Sequence, residues 1–127
     1  MPNFPMDMSP NMEDYLESIY LIHKSGNTVR TKELAKKLNV RLPSVTEAVK
    51  KLSKKNMLNY KRYGNIIITK KGEETAKKIY KKHKILYKFF VDVLGIDKNT
   101  AEDDACKIEH IISKNTADKL KKFVENR

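Results

Sequence analysis

The stretch Thr31–Gly72, TKELAKKLNVRLPSVTEAVKKLSKKNMLNYKRYGNIIITKKG, decides the fold. Its first eight residues set Leu34, Ala35 and Leu38 on one helical face, and a tight turn through Asn39, Val40 and Arg41 follows. A second helix then restarts with Pro43 in its first turn, where a missing N–H costs nothing, and Val45, Val49 and Leu52 recur along a stripe to be buried. Two short helices joined this way form a helix-turn-helix, whose second helix fits the major groove of DNA. The period then changes. Leu58–Arg62 and Asn65–Thr69 are short β-prone runs around Tyr63-Gly64, which predicts a hairpin wing.

Upstream, residues 1–10 contain prolines and no periodicity and read as a flexible arm, while Met12 to Lys24 repeats apolar residues at Met12, Leu16, Ile19, Tyr20 and Ile22, with Gly26 as its stop. Downstream, a long helix is expected from Lys71 to Leu94, ended by Gly95, then one from Asn99 to Ser113, and a last one from Thr116 as N-cap to Glu125. The expected fold is mainly α: an arm over 1–10, a winged helix-turn-helix over 11–72 and a helical domain over 73–127.

At 127 residues the chain has room for one domain or two small ones sharing a core, too little for separate substrate domains. No apolar run approaches the roughly 18 residues of a membrane span, and the first residues lack the basic start and apolar core of a signal peptide, so a cytoplasmic protein with no membrane partner is expected. The single cysteine, Cys106, cannot make an intrachain disulfide, which leaves the thiol for a metal or for the core. A net charge of +11 favours a polyanionic partner. Between Thr28 and Lys88 lie 19 of the 27 Lys and Arg but only 4 of the 16 Asp and Glu, a balance of +15, so the remainder of the chain sums to −4. One region is built to meet phosphates; the acids gather towards the two ends, where a cation could be held.

Cations surround the helix-turn-helix: Arg30, Lys32, Arg41, Lys50 and Lys54, with Lys61 and Arg62 in the wing. A lysine face alone reads as solvated surface. Combined with helix-turn-helix spacing and a following wing, it points to double-stranded DNA, with these cations on phosphates. Base reading falls to the start of the second helix, where Pro43, Ser44, Thr46 and Glu47 project with Arg41; the hydroxyls can bond base edges and Pro43 can pack on a thymine methyl.

The stretch DDACKIEHIIS, Asp103 to Ser113, sets Cys106, Glu109 and His110 at i, i+3 and i+4, one face of the expected helix, with Ala105, Ile108 and Ile112 on another side for packing. Thiolate, carboxylate and imidazole suit first-row transition ions. A structural cysteine beside a surface Glu-His pair is the plainer alternative. Asp14 and Glu17 share a face of the first helix, where they also suit its positive end, and His83 lies midway along the long helix, where an imidazole among lysines is ordinarily surface. Together these would draw ligands from three helices.

MEDYLESIYLI, LPSVTEAVKKL, ITKKGEETAKKIYKKHKIL and DDACKIEHIIS occur in the order seen in the diphtheria-toxin-repressor and manganese-transport-regulator (DtxR/MntR) family of metal-dependent transcriptional repressors, which the chain resembles over Asn11 to Val124. The resemblance implies a homodimer that binds a palindromic operator when loaded with Fe(II) or Mn(II), one or two ions per subunit, shutting off metal uptake genes. It implies that Asp14 and Glu17 are the first-helix ligands of the manganese branch, that His83, Glu109 and His110 are the ligands both branches share, and that Glu102 stands at an ancillary ligand position of the iron branch. Cys106 stands where the manganese branch has glutamate and the iron branch cysteine, so the ligand set is mixed. Carboxylates favour Mn(II) and a thiolate shifts preference towards Fe(II), which we expect; Co(II), Ni(II) or Zn(II) can bind in vitro by the Irving–Williams order. The chain ends at Arg127, so the SH3-like third domain of the iron branch is not expected.

Two rivals remain at this level. One is a winged-helix regulator switched by a small molecule or by oxidation of Cys106. The other is a metallohydrolase, against which stand the missing HExxH pattern, the missing glycine-rich oxyanion turn and the lack of a second domain to enclose a small-molecule substrate, so no enzyme is expected.

Overall fold

The structure, a computed structural model, describes residues 12–61 and 65–127; the expected arm over 1–10 and the wing tip, including Arg62, lie outside the described residues. The chain forms two compact units, Met1–Ala76 and Lys77–Arg127. The division falls a turn beyond the expected 72/73 boundary because Ala76, fully buried, belongs to the core of the first unit.

In the first unit α1 (Met12–Lys24), β1 (Val29–Arg30), α2 (Thr31–Leu38), α3 (Leu42–Lys54), β2 (Leu58–Tyr60) and β3 (Asn65–Ile68) precede the first turns of α4 (Lys70–Lys88). The sheet has the order β1-β3-β2 and is antiparallel throughout, with Val29 opposite Ile66, and Leu58 opposite Ile68. Its first strand was not expected: two residues are too short to display a period. The core joins Leu16 and Ile19 of α1, Leu34 of α2, Val45, Val49 and Leu52 of α3, and Leu58, Ile66 and Ile68 of the wing. Alternation along β3 buries Ile66 and Ile68 and leaves Ile67 half exposed, as a one-sided sheet requires.

Two asparagines set the angles. Asn39 ends α2 in the left-handed region at φ 54°, where its short side chain is tolerated, and Asn56 does the same after α3 at φ 61°. Thr69 ties the wing to α4: its hydroxyl donates to the Asn56 carbonyl at 2.7 Å and accepts from the Gly72 N–H at 3.1 Å. A Cβ at Gly72 would collide with the Met57 carbonyl oxygen, so the first turn of α4 can lie here only with glycine.

The second unit holds the remainder of α4, a wide π turn (Phe89–Val93), α5 (Lys98–Ile108) and α6 (Lys114–Glu125). The single helix expected to Leu94 therefore loosens at Phe89, with the Leu94 N–H reaching the Phe89 carbonyl, before Gly95 at φ 69° reverses the chain. Asp97 caps α5 by accepting from Thr100 N–H. The helix expected to run to Ser113 ends at Ile108, and residues 109–112 form a turn. The N-cap of α6 is Ser113, not Thr116: its Oγ accepts from the Thr116 N–H at 3.2 Å. Ile79, Leu86, Ala101, Ala105 and Val124 are buried in this unit, and Phe89 meets Phe123 edge-on with ring centroids 6.1 Å apart.

Candidate nucleic-acid interface and metal centre

Because α3 buries Val45, Ala48, Val49 and Leu52, its opposite face must carry Pro43, Glu47, Lys50 and Lys54 into solvent, and all four are exposed. Arg41 and Ser44 are exposed at its start, as are Arg30 and Lys32 around the start of α2 and Lys61 after β2. Thr46 is half-buried and donates its hydroxyl to the Leu42 carbonyl at 3.2 Å, so a base bonded by Thr46 has to replace that contact. Glu47 pairs with Lys51 one turn on, at 3.4 Å. Leu42, 40% exposed beside Pro43, adds apolar surface to the start of the reading helix, which the spacing of α3 did not flag. Neither α2 nor α3 has a side-chain cap at its N-terminus, where Arg30 and Arg41 stand, and an uncapped first turn flanked by arginine favours phosphate.

In the second unit the early end of α5 removes Glu109 and His110 from the helical face expected to hold Cys106. Cys106 is exposed, whereas Glu109 is fully buried and the His110 side chain is 3% exposed. The turn brings Glu109 between two imidazoles. Its Oε2 lies 3.3 Å from His83 Nδ1, and its Oε1 lies 3.3 Å from His110 Nε2. Glu102, on the outer side, reaches His83 Nε2 at 3.0 Å. Both nitrogens of His83 thus face carboxylates, an arrangement that asks for the doubly protonated ring. The Glu109 carboxylate is the chief cause of a His83 pKa pushed up to about 9; burial opposes it and Glu102 adds to it.

Two supporting residues escaped the sequence reading. Tyr80, one turn before His83, stacks on the imidazole at 5.8 Å, and Lys82 donates to the Ile112 carbonyl at 3.4 Å, clasping the turn that carries Glu109 and His110. The i, i+3 spacing of Tyr80 and His83 was the available signal. In the first unit, Asp14 is half-buried and Glu17 buried on α1, and each offers a carboxylate oxygen within 4.8 Å of the other's.

The Glu109 oxygens and His83 Nδ1 are sealed from solvent yet make no well-aligned hydrogen bond, although they lie at ion-pair distance. A buried carboxylate normally gathers two or three N–H donors. Here it gathers imidazoles whose nitrogens are Lewis bases once deprotonated. The donor set therefore fits a divalent transition ion.

A winged helix-turn-helix with an open basic reading head, followed by a helical unit whose buried polar groups are metal ligands by type, defines a metal-responsive DNA-binding regulator. Residues 7–66 match the N-terminal DNA binding domain of the iron dependent repressors, and residues 69–127 match their metal binding and dimerisation domain. The chain belongs to the iron-dependent repressor family of metal-dependent transcriptional regulators. It is 47% identical over 119 residues to an uncharacterized HTH-type transcriptional regulator of Methanocaldococcus jannaschii, covering 93% of this chain and 95% of that one. It is also 33% identical over 117 residues to the HTH-type transcriptional regulator MntR of Bacillus subtilis, covering 92% and 82%. The structure of the manganese regulator SloR superposes with a TM-score of 0.83 at 31% identity over 94% of this chain; the chain spans 56% of that protein's length.

Proposed function

We propose that the chain is a homodimeric repressor that binds a palindromic operator when loaded with Fe(II) or Mn(II), with Fe(II) preferred. The observation that carries this reading is the fully buried Glu109 carboxylate held between His83 and His110. The proposed ligands are Asp14 and Glu17 of α1, His83 of α4, and Glu109 and His110 of the turn after α5, with Glu102 and Cys106 as peripheral members. When bound, the ion supplies positive charge against which carboxylates and neutral imidazoles can be held.

The residues themselves do the rest. Without compensation, Asp14 and Glu17 repel one another in the first unit, as do Glu102 and Glu109 in the second apart from the His83 imidazolium between them. Removing the repulsion favours one arrangement over others, a population shift set by differential affinity. Arg30, Lys32, Lys50, Lys54, Lys61 and Arg62 then take phosphates, while Arg41, Pro43, Ser44, Thr46 and Glu47 meet base edges. Two such heads, one from each protomer, read the half-sites in successive major grooves. Control of metal-ion homeostasis follows from an operator whose occupancy reports the metal.

The test is anaerobic fluorescence anisotropy on promoter DNA from its own genome, with chelator-stripped protein titrated by Fe(II), Mn(II), Co(II) and Zn(II) in turn. Affinity should rise steeply with Fe(II) or Mn(II), and the rise should vanish in Glu109→Gln/His110→Ala. Equally tight binding without metal would overturn the reading.

A further inference from the structure

The solvent face of α4 is not explained by the reading head or by the metal ligands. In the second unit Lys77, Lys81, Lys84 and Lys88 fall at i, i+4, i+7 and i+11, one face of the helix, and all four are exposed. The buried Ile79, His83 and Leu86 mark the opposite face. Between Glu74 and Asp92 the sequence holds six lysines and no carboxylate, so acids stand one turn away only at the two ends of the row, Glu73 and Glu74 before Lys77 and Asp92 after Lys88, and Lys81 and Lys84 have none. Among the described residues none of the four makes an ion pair; Lys84 lies over the Tyr80 ring at 4.9 Å.

Such a row is costly. Like charges one turn apart destabilise a helix by as much as opposite charges stabilise it, and elsewhere the chain does supply the acid, as at Glu47–Lys51. Four ammonium groups over about 17 Å at 1.5 Å per residue face a ligand with matching charge density: one DNA strand presents a phosphate about every 3.4 Å of axis. An anionic lipid surface is the poorer match, because membrane-lying helices insert an apolar face beside their lysines, whereas Ile79 and Leu86 of α4 are buried within the protein.

We propose that the Lys77–Lys81–Lys84–Lys88 row is a second phosphate-binding surface, which holds double-stranded DNA outside the contacts of the reading head. The proposal rests on the DNA-binding reading above. It makes the second unit a contributor to affinity without sequence preference.

The test compares full-length, metal-loaded protein with its Lys77→Gln/Lys81→Gln/Lys84→Gln/Lys88→Gln variant, and with the corresponding four-arginine variant. Each is titrated over a salt series onto a promoter duplex cut to its protected length and onto the same duplex extended by about two helical turns at each end. The expected result is that the glutamine variant loses affinity and that its slope of log affinity against log salt becomes shallower by about 0.9 per lysine lost from phosphate, while the arginine variant keeps both. Melting of the glutamine variant at or above the wild-type temperature shows that the fold is intact. If wild type binds and the glutamine variant shows the same slope on both duplexes, the row is solvated surface and the proposal falls alone. If the loss appears instead on phosphatidylglycerol vesicles, the surface is a membrane contact and the proposal also falls. If wild type binds no duplex at all, the regulator reading fails with it.

Discussion

His83 is held from both ring nitrogens, and that fixes how protons compete with metal. Its pKa, raised to about 9 by Glu109 and then Glu102, means that the metal-stripped protein gains full stabilisation from the imidazolium below about pH 6.5 and loses it as pH rises through 9. Melting temperature of the stripped protein should therefore decline across pH 6.5–9, and Glu109→Gln should flatten that decline. Ligation requires a ring nitrogen without its proton, so metal loading near pH 7 should release about one proton from His83. Titration calorimetry in buffers of different ionisation enthalpy measures it; no proton release would mean that His83 is not a ligand. Glu109→Gln keeps the volume and removes the charge, so its Fe(II) or Mn(II) affinity should fall by more than the roughly 10–100-fold typical of outer-shell changes.

Among the elements, Gly72 admits the sharpest expectation. Gly72→Ala sets a Cβ into the Met57 carbonyl, and backbone cannot swing aside as a side chain would. The variant should lose at least about 2 kcal/mol in denaturant unfolding, and wild-type stability would show that the first turn of α4 has slack. The same region shows what the sequence made legible. Regular spacing of Leu16 and Ile19 placed α1, and that of Leu34 and Ala35 placed α2, at their observed bounds, while Val45, Val49 and Leu52 marked the course of α3, because each helix buries one stripe. The strand Val29–Arg30 carries no pattern of its own and exists because β3 pairs with it. Helical spacing also misplaced Glu109 and His110: a carboxylate compatible with exposure on a helix is instead turned inward after Ile108, where His83 and His110 receive it. Burial of a charge among charges is decided by tertiary partners, so periodicity could suggest the residues of the centre but not the turn that assembles them.

For the whole molecule, the apolar residues at the C-terminal end of the chain divide. Val124 is buried in its own unit, Ile112 and Leu120 are half-buried, and Ile111 and Phe123 remain about half exposed, as does Leu94. The exposed ones are the candidates for the partner, since about half of each stays in water in a lone unit. Ile111→Asp/Phe123→Asp should sediment as a monomer and bind a palindromic duplex at least about tenfold more weakly, with its helical circular dichroism retained and its melting lowered by the lost association; a persisting dimer would place the interface elsewhere. The pairing of Val29 with Ile66 has a consequence for how the protein comes into being. It encloses α2 and α3 between two strands that are made far apart in time, with the later strand ending at Ile68. On the ribosome the helix-turn-helix is thus an open loop until β3 has emerged, and closing such a loop is repaid only once the distant strand docks. A prematurely terminated chain ending before Ile66 would contain every residue proposed to read bases and still lack the strand that closes the unit around them, so an interrupted message should yield no fragment able to bind DNA.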